Sequence, residues 1–513
     1  MFNYFPHTDI AWLAPEILLT IWAMGLLLAE AFLSLSPRVV AVWALIGIAI
    51  SALITLAIEV PVPGPTVFPL FWGGMAKWDG AAKFFHLFFL VVAALVIWMG
   101  DEVQEPVSHG GGEFVVLPLF TTAGLMLLAS ANDFIMLFIA LELVTISFYI
   151  LVAYQRRSVV ALEAGVKYLI LGGLSSAFLV MGVAYIFGLS GYTRFDLIWL
   201  HFNHQPLSAG VGFGLLLVIT GIGFKIAMVP FQSWAPDVYE GAPNSITAFL
   251  SVGSKAGGLI ILMRVVLGLF NTQAAAAVWI PVLSLGAIAS LLLGNLAAIP
   301  QRNLKRMLGY SSIGHTGFIL VAVIGAATAL TGRVMPLNND AETGQIAVTV
   351  YLVSYLLATF TAFIVLAVLE RRLPGLEIHH LAGLSQRAPL LAAAFALSLI
   401  SLAGVPPLSG FIAKFYVVLV AWNRGLYTLL FFTIFAAVAA LYYYLGPIKA
   451  MYWSEPLDET PIRVNRTISG VLIVLIVLLI VTGFWAQSMG PIVNGATLAQ
   501  GEVPHAAVAV VQH

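Results

Sequence analysis

The sequence contains about fourteen apolar runs, each long enough to cross a lipid bilayer as an α-helix. A spanning helix needs roughly 20 predominantly apolar residues, and only helices or closed barrels can satisfy their backbone polar groups in lipid. Hydrophobic residues make up 61% of the 513-residue chain and charged residues only 9%, against roughly 25% charged residues in soluble domains. The sequence therefore predicts an all-α membrane protein without a soluble domain.

The apolar runs predict the following fourteen helices, numbered 1 to 14 in chain order. They lie near 11–35, 39–60, 82–100, 114–130, 133–154, 161–188, 208–231, 242–269, 276–299, 304–328, 344–369, 389–422, 425–451 and 467–488.

Composition also excludes several kinds of site. The net charge of −1 gives no electrostatic reason to expect nucleic acid as a partner. The chain has no cysteine, which excludes a cysteine-ligated iron–sulfur cluster, a disulfide and a thiolate nucleophile. No Walker-type loop and no dinucleotide-binding glycine motif follows a strand pattern.

The distribution of Lys and Arg predicts the orientation in the membrane. Twelve of these cations lie in loops, or at helix ends, that follow odd-numbered predicted helices, and six lie on the opposite side. Cytoplasmic loops carry an excess of Lys and Arg. The loops after odd-numbered helices should therefore face the cytoplasm, and both termini should lie outside, in the periplasm of a Gram-negative bacterium.

The remaining four lysines lie inside predicted helices, together with two glutamates. A charge at the bilayer centre costs roughly 2.5–3.5 kcal/mol and usually marks an ion pathway or a pair. These six residues are Lys167, Lys225, Lys255, Lys414, Glu142 and Glu163.

Two of these lysines lie close to prolines that should break their helices. Pro230 follows Lys225, and Pro406–Pro407 precede Lys414. Proline lacks an N–H, so Pro230 leaves the carbonyl group of Ile226 without its helical donor. Pro406 and Pro407 do the same to the carbonyl groups of Leu402 and Ala403. The two patterns lie roughly 180 residues apart. Paired broken helices are typical of an internal repeat in a transporter and indicate its binding site.

The chemistry of these groups suits proton transfer. Desolvation favours the neutral form of a buried lysine, and a nearby carboxylate favours the charged form. Movement of that carboxylate, or of another charge, would switch the lysine between holding and releasing a proton. His315, inside predicted helix 10, has the side chain best suited to relay protons near neutral pH.

Each candidate also has a structural interpretation. Glu163 and Lys167 are spaced i, i+4 and suit a plain ion pair. Lys255 can pair with a carboxylate for packing alone, and His315 suits a hydrogen-bonded core histidine. Arg264 lies near a helix end, where a long cation often extends to the membrane surface.

Three segments resemble the antiporter-like membrane subunits of respiratory complex I. They are Gly223–Pro243, which contains Asp237-Val-Tyr-Glu-Gly-Ala-Pro, then Asn303–His315, and Gly404–Lys414. The first of these and the Glu163–Gly173 segment look like the N-type subunit of bacterial NADH:quinone oxidoreductase.

The resemblance implies an architecture and a division into segments. It implies fourteen helices with two inverted five-helix repeats, each containing a proline-broken helix. Residues 1–100 would hold helices 1–3, 114–270 and 276–452 the two repeats, and 466–513 the last helix and tail.

The resemblance also implies roles in proton relay rather than in chemical catalysis. Glu142 would modulate Lys225, and Lys414 would end the second half-channel. Lys225, Lys255 and either His315 or Lys305 would form a central polar axis, while Glu163 and Lys167 also fall on family positions.

The implied setting is a proton-translocating complex in the bacterial inner membrane. The chain itself would bind no cofactor or metal. FMN and iron–sulfur clusters would lie in partner subunits, and the assembled membrane and peripheral subunits would reduce quinone. The alternative is a stand-alone or Mrp-type cation/proton antiporter, since that family shares the broken helices and the lysines.

Overall fold

The structure, a computed structural model, describes most of the chain and confirms the all-helical membrane fold. The described residues are 11–33, 35–60, 70–103, 111–203, 207–327, 340–373, 375–456, 458 and 460–484. The tail from 485 onwards, which the sequence analysis joined to the last helix, lies outside them.

Fourteen membrane crossings, α1 to α14, follow one another within the described residues. Twelve are continuous helices of sufficient length and hydropathy to span a bilayer, and the other two, α7 and α12, each consist of two half-helices. The bounds are α1 Ala14–Leu33, α2 Pro37–Ala57, α3 Gly80–Val103, α4 Gly111–Ser130, α5 Phe134–Val152, α6 Val159–Ser190, α7a Ala209–Lys225, α7b Trp234–Gly241, α8 Asn244–Leu269, α9 Gln273–Ala298, α10 Leu304–Gly325, α11 Asp340–Glu370, α12a Pro389–Ala403, α12b Ser409–Asn423, α13 Tyr427–Trp453 and α14 Arg466–Phe484.

The connections divide the bundle into two ends. The odd-loop side holds the loops after odd-numbered helices, and the even-loop side holds the others. An antiparallel hairpin of β1 (Leu70–Phe71) and β2 (Ala76–Lys77) lies on the even-loop side, as does a short helix, Phe195–Asn203. Backbone pairs between loops, such as Asn303 with Glu377 on the odd-loop side, tie neighbouring connections together.

The centre of the bundle is formed by α8, α10 and α11, whose spans are almost wholly buried within the chain, whereas α1, α6 and α14 are largely exposed to lipid or to partners. Two π-helical segments, Leu250–Ser254 and Arg264–Leu269, interrupt α8. Such segments are uncommon and often occur at functional sites.

Both predicted breaks are present, but the second half of α7 was not predicted. The predicted seventh helix ended at 231, whereas the chain resumes helical structure at α7b after a non-helical stretch. α7b carries Asp237 and Glu240, so its hydropathy is too low for it to be recognised as part of a span. At the break, Ala227 adopts φ +54°, a left-handed conformation that costs an L-residue roughly 1–2 kcal/mol.

Candidate functional site

Four of the predicted residues are buried deep in the bundle, far from the ends of their membrane crossings. Lys225, Lys255, His315 and Lys414 are 6%, 2%, 5% and 7% exposed. We call these four residues the axial row. They come from α7a, α8, α10 and α12b, so the row runs through both broken helices and the two central helices between them.

Lys225 is the last residue of α7a and donates a hydrogen bond to the hydroxyl group of Thr145 on α5. Thr145 lies one turn after Glu142 on the same helix. Glu142 is half-buried, and its carboxylate accepts a hydrogen bond of 2.5 Å from Ser176 on α6. Within the described residues, Lys225 and Glu142 form no direct ion pair, and the hydrogen bond of Lys225 goes to Thr145 instead.

The break in α7 is held by side chains of neighbouring helices. The carbonyl oxygen of Ile226, which Pro230 leaves without a helical donor, accepts a 2.6 Å hydrogen bond from the hydroxyl group of Thr316 on α10. Ser290 on α9 accepts from the backbone N–H of Val229 at 3.0 Å. The broken backbone next to Lys225 is therefore satisfied within the protein, as membrane depth requires.

Lys255 directly follows the first π-helical segment of α8. Its ammonium group donates to both the carbonyl and the hydroxyl oxygen of Ser312 on α10 and lies 5.2 Å from the centroid of the Tyr355 ring. The hydroxyl groups of Ser312 and Tyr239 are 2.6 Å apart. Lys255 is thus held by hydroxyl, carbonyl and aromatic groups. Within the described residues no carboxylate pairs with it, as the alternative packing role would require.

His315 lies on α10 between two tyrosines. Its Nδ1 is 2.6 Å from the hydroxyl group of Tyr351, and its Nε2 is 3.2 Å from that of Tyr444. A small cavity lined by His315, Tyr355 and Lys414 is large enough to hold about one water molecule. The cavity lies between His315 and Lys414.

Lys414 donates a 2.8 Å hydrogen bond to the carbonyl oxygen of Ala403 and lies 4.7 Å from the centroid of the Phe318 ring. Ala403 is the last residue of α12a. Pro407 leaves this carbonyl group without a helical donor. The Lys414 ammonium group donates to it in place of a backbone N–H.

The axial row shares one electrostatic property. None of its three lysines has a carboxylate ion-pair partner among the described residues, and each is held by neutral groups. Burial without a counter-charge favours the neutral amine, while the hydroxyl, carbonyl and aromatic partners stabilise the ammonium form. Each lysine can therefore gain or lose a proton without breaking an ion pair.

The remaining predicted residues belong to a network at the odd-loop side. The Lys167 ammonium group lies 2.7 Å from Glu163 and 2.6 Å from Asp237. Arg306 bridges Asp237 and Glu240 at 2.7 and 2.9 Å. The predicted pair of Glu163 and Lys167 is therefore present, and it is exposed at the edge of the bundle.

Lys305 also lies at this edge, as the second residue of α10. Its ammonium group donates to the carbonyl oxygen of Ala242 at 2.7 Å and lies 3.7 Å from the Glu370 carboxylate. The two alternatives for the centre of the axis therefore differ in place, since His315 lies near the middle of α10 and Lys305 at its first turn.

Two buried pairs near the even-loop side were missed from the sequence. The Arg264 side chain is 5% exposed and forms a two-pronged ion pair with Asp79 at 2.9 and 3.1 Å, so the expectation that it extends to the surface is wrong. Burial alone would raise the pKa of Asp79, but Arg264 and Lys77 hold that pKa below its ordinary value.

Glu16 on α1 and His86 on α3 form the second pair, with Oε1 and Nε2 3.4 Å apart. Both lie within helices that were predicted from hydropathy. A search of every predicted span for ionisable residues, including histidine, would have found them.

Two comparisons of sequence show which proteins this chain is similar to. The profile of a family described as NADH:quinone oxidoreductase/Mrp antiporter, transmembrane, matches residues 131–440. The NADH-quinone oxidoreductase subunit N of Rhodospirillum rubrum is 37% identical over 491 residues, which cover 94% of this chain and 96% of that protein.

Solved structures share the fold. A chain of respiratory complex I from Thermus thermophilus with bound aureothin is 28% identical, with a TM-score of 0.76 over 94% of this chain and 100% of that one. A chain of the Mrp complex from Dietzia sp. DQ12-45-1b is 19% identical, with a TM-score of 0.79 over 96% and 97% of the two chains. At that identity the second likeness is one of fold alone.

Proposed function

Because the chain belongs to the NADH:quinone oxidoreductase/Mrp antiporter transmembrane family, we propose that it is the N-type, proton-translocating membrane subunit of a bacterial NADH:quinone oxidoreductase. The observation that carries this proposal is the axial row, a series of proton-accepting side chains buried at mid-membrane. The Rhodospirillum rubrum relative is similar to this chain over nearly the whole length of both proteins, and its name supports the N-type assignment.

The chain would supply proton transfer, and its partners would supply the redox chemistry. Iron–sulfur clusters in proteins are held mainly by cysteine thiolates, and this chain has no cysteine. The clusters would accordingly lie in other subunits. FMN would also lie in a partner, and quinone would be reduced by the assembled complex. The translocase activity belongs to that assembly.

Proton transfer would proceed along the axial row by changes of charge at successive nitrogen atoms. A proton on the Lys225 ammonium group is stabilised by the Thr145 hydroxyl and, at longer range, by the Glu142 carboxylate. Movement of the carboxylate or of a neighbouring charge weakens that stabilisation, and the proton passes towards Lys255.

Hydroxyl groups and water would carry the proton through the second half of the row. Ser312 and Tyr239 adjoin Lys255, Tyr351 and Tyr444 adjoin His315, and the small cavity separates His315 from Lys414. Lys414, beside the second break, would release the proton. His315 fits the central relay better than Lys305, which lies at the end of α10 beside Glu370.

The two halves of the pathway would correspond to two inverted repeats, α4–α8 and α9–α13. The broken helix is the fourth member of each set, and each contains a lysine that adjoins the break. α7 runs from the even-loop side to the odd-loop side, whereas α12 runs in the opposite direction. Opposite directions are what an inverted repeat requires.

The orientation follows from the positive charges. The odd-loop side, which holds twelve of the loop and helix-end cations, would face the cytoplasm. The chain would then lie in the inner membrane with both termini in the periplasm.

The test is proton pumping by the assembled complex in proteoliposomes. Lys225→Ala and Lys414→Ala should abolish pumping while leaving quinone reduction with an uncoupler largely intact. Lys449→Ala, which changes an exposed lysine on α13, is the matched control and should pump normally. Unchanged pumping in Lys225→Ala would contradict the proposal.

The alternative function is cation/proton exchange by this chain without the redox complex. The family description, which names Mrp antiporters beside NADH:quinone oxidoreductases, gives it a basis. Liposomes that contain only this chain should show no Na⁺-driven proton movement. Sodium/proton exchange at a substantial rate would favour the antiporter function instead.

A further inference from the structure

Glu16 and His86 meet in the interior between α1, α3 and α4, near the even-loop side. They are 2% and 0% exposed. The two helices that carry them precede the segment matched by the family profile, and neither residue belongs to the axial row. A carboxyl group and an imidazole at this depth can together hold a proton.

The surroundings of His86 determine which ring nitrogen carries hydrogen. Nε2 lies 2.9 Å from the backbone carbonyl oxygen of Met126 and 2.9 Å from the hydroxyl oxygen of Ser130. A carbonyl oxygen can only accept a hydrogen bond, so Nε2 must be an N–H. The protonation of the ring is therefore decided at Nδ1.

Apart from His86 Nε2, the polar side-chain atoms of the pair lack hydrogen bonds among the described residues. Both carboxyl oxygens of Glu16, Nδ1 of His86 and Nε1 of Trp78 are buried and have no hydrogen-bond partner among the described residues. The Trp78 ring meets the His86 ring edge-on, with centroids 4.9 Å apart. An ionised carboxylate without donors is far more costly to bury than a neutral carboxyl group.

The charged groups around the pair are already engaged. Arg264 from α8 is matched by Asp79 and also donates to the carbonyl oxygen of Ala129. Lys83 on α3 donates to the carbonyl oxygens of Leu56 and Ile58 at the end of α2. Lys77 on β2 lies near Asp79 and Arg264. The cation nearest to Glu16 would thus be His86 itself, once Nδ1 is protonated.

We propose that Glu16 and His86 form a proton-binding site that is separate from the axial row and exchanges with the even-loop side. When His86 is neutral, the carboxyl group of Glu16 holds the proton. Uptake of a proton at Nδ1 places a positive charge beside that carboxyl group and favours breakage of its O–H bond. Once that proton has left, Glu16 is a carboxylate and His86 is an imidazolium, so the pair carries no net charge.

Infrared spectroscopy of the purified complex tests the site directly. The C=O stretch of a protonated carboxyl group is resolved from that of a carboxylate and shifts in D₂O. The complex with Glu16→Gln should lose one such band, and in the wild-type complex this band should shift in D₂O. Identical bands in the wild type and Glu16→Gln, or a band that is insensitive to D₂O, would overturn the proposal.

Glu30→Gln is the matched control. Glu30 lies on the same helix, and its carboxylate accepts a 3.1 Å hydrogen bond from the backbone N–H of Gly112. This substitution should leave the band in place.

His86→Gln provides a second variant in case Glu16→Gln does not assemble. Loss of the imidazole 3.4 Å from the carboxyl group should shift the band and change the pH at which it disappears. An unchanged band with an unchanged pH profile would exclude His86 from the site. The readout does not require pumping, so its failure is distinguishable from a failure of the proposed function.

Discussion

Lys414 donates its hydrogen bond to Ala403, the residue whose carbonyl group Pro407 leaves without a helical donor. The lysine and the break therefore form one unit, in which the proline creates the acceptor and the lysine occupies it. Without the lysine, the Ala403 carbonyl group should lack a donor; without the break, the Lys414 ammonium group should lack its acceptor.

Two substitutions of Lys414 separate its hydrogen bond from its proton. Lys414→Met removes both, so the complex should lose pumping and unfold at a lower temperature, because a buried carbonyl without a donor costs about 1–3 kcal/mol. Lys414→Arg retains a donor but cannot release a proton, so it should preserve more of the thermal stability and still fail to pump. Proteoliposome pumping and thermal unfolding measure the two effects; normal pumping by Lys414→Arg would exclude proton release at this residue.

The hydroxyl group of Thr145 should be required for proton transfer at Lys225. Thr145→Val keeps the shape of the side chain and removes the acceptor of the Lys225 hydrogen bond. We expect the pumping rate to fall about tenfold, which corresponds to about 1.4 kcal/mol. Thr145→Ser should retain most of the rate. Equal rates for the valine and serine variants would mean that the hydroxyl group has no part in transfer.

Thr316 should stabilise the break in α7. Thr316→Val removes the donor to the Ile226 carbonyl oxygen and should lower stability by about 1–3 kcal/mol. Thr433→Val is the matched control, because the buried Thr433 hydroxyl bonds to the carbonyl oxygen of Leu429 within its own helix. Hydrogen exchange at residues 226–229 should increase in the first variant alone. Equal exchange in both variants would contradict this role.

The ion pair between Asp79 and Arg264 should stabilise the fold over a wide pH range. Asp79→Asn leaves Arg264 buried without its counter-charge and should cost about 3–5 kcal/mol. Since the pKa of Asp79 is held low in the folded protein, the stability that it contributes is present above the unfolded pKa of about 3.9. That stability is lost only as the pH falls through the folded pKa.

Thermal unfolding of the wild type and Asp79→Asn should consequently differ by a constant amount between about pH 5 and 8 and converge in acid. Asp458→Asn, which removes an exposed carboxylate paired with the buried Arg387, should change unfolding much less than Asp79→Asn, because water screens the exposed carboxylate. A difference between the wild type and Asp79→Asn that grew in acid would contradict the assignment.

The sequence determined the class of fold and the main candidate residues. Long apolar runs leave the helix as the only open-chain structure that satisfies backbone polar groups in lipid, so the fourteen crossings were predicted. Lys225, Lys255 and Lys414 were recognisable because a charge inside an apolar run is costly wherever the helix packs. Both breaks were also predictable, because a proline removes a helical hydrogen bond wherever its helix packs.

Tertiary structure alone decided which of these residues share a site. Distances between helices depend on packing that no local pattern encodes, so the sequence could not separate His315, in the axial row, from Lys305, beside Glu370. The sequence also could not indicate that Thr145, Ser312 and Ala403 accept hydrogen bonds from the lysines. A neutral hydroxyl or carbonyl group has no sequence feature that marks it as a partner, and only helix packing places a lysine beside it. The pairs of Asp79 with Arg264 and of Glu16 with His86 arise in the same way, from segments far apart in the chain.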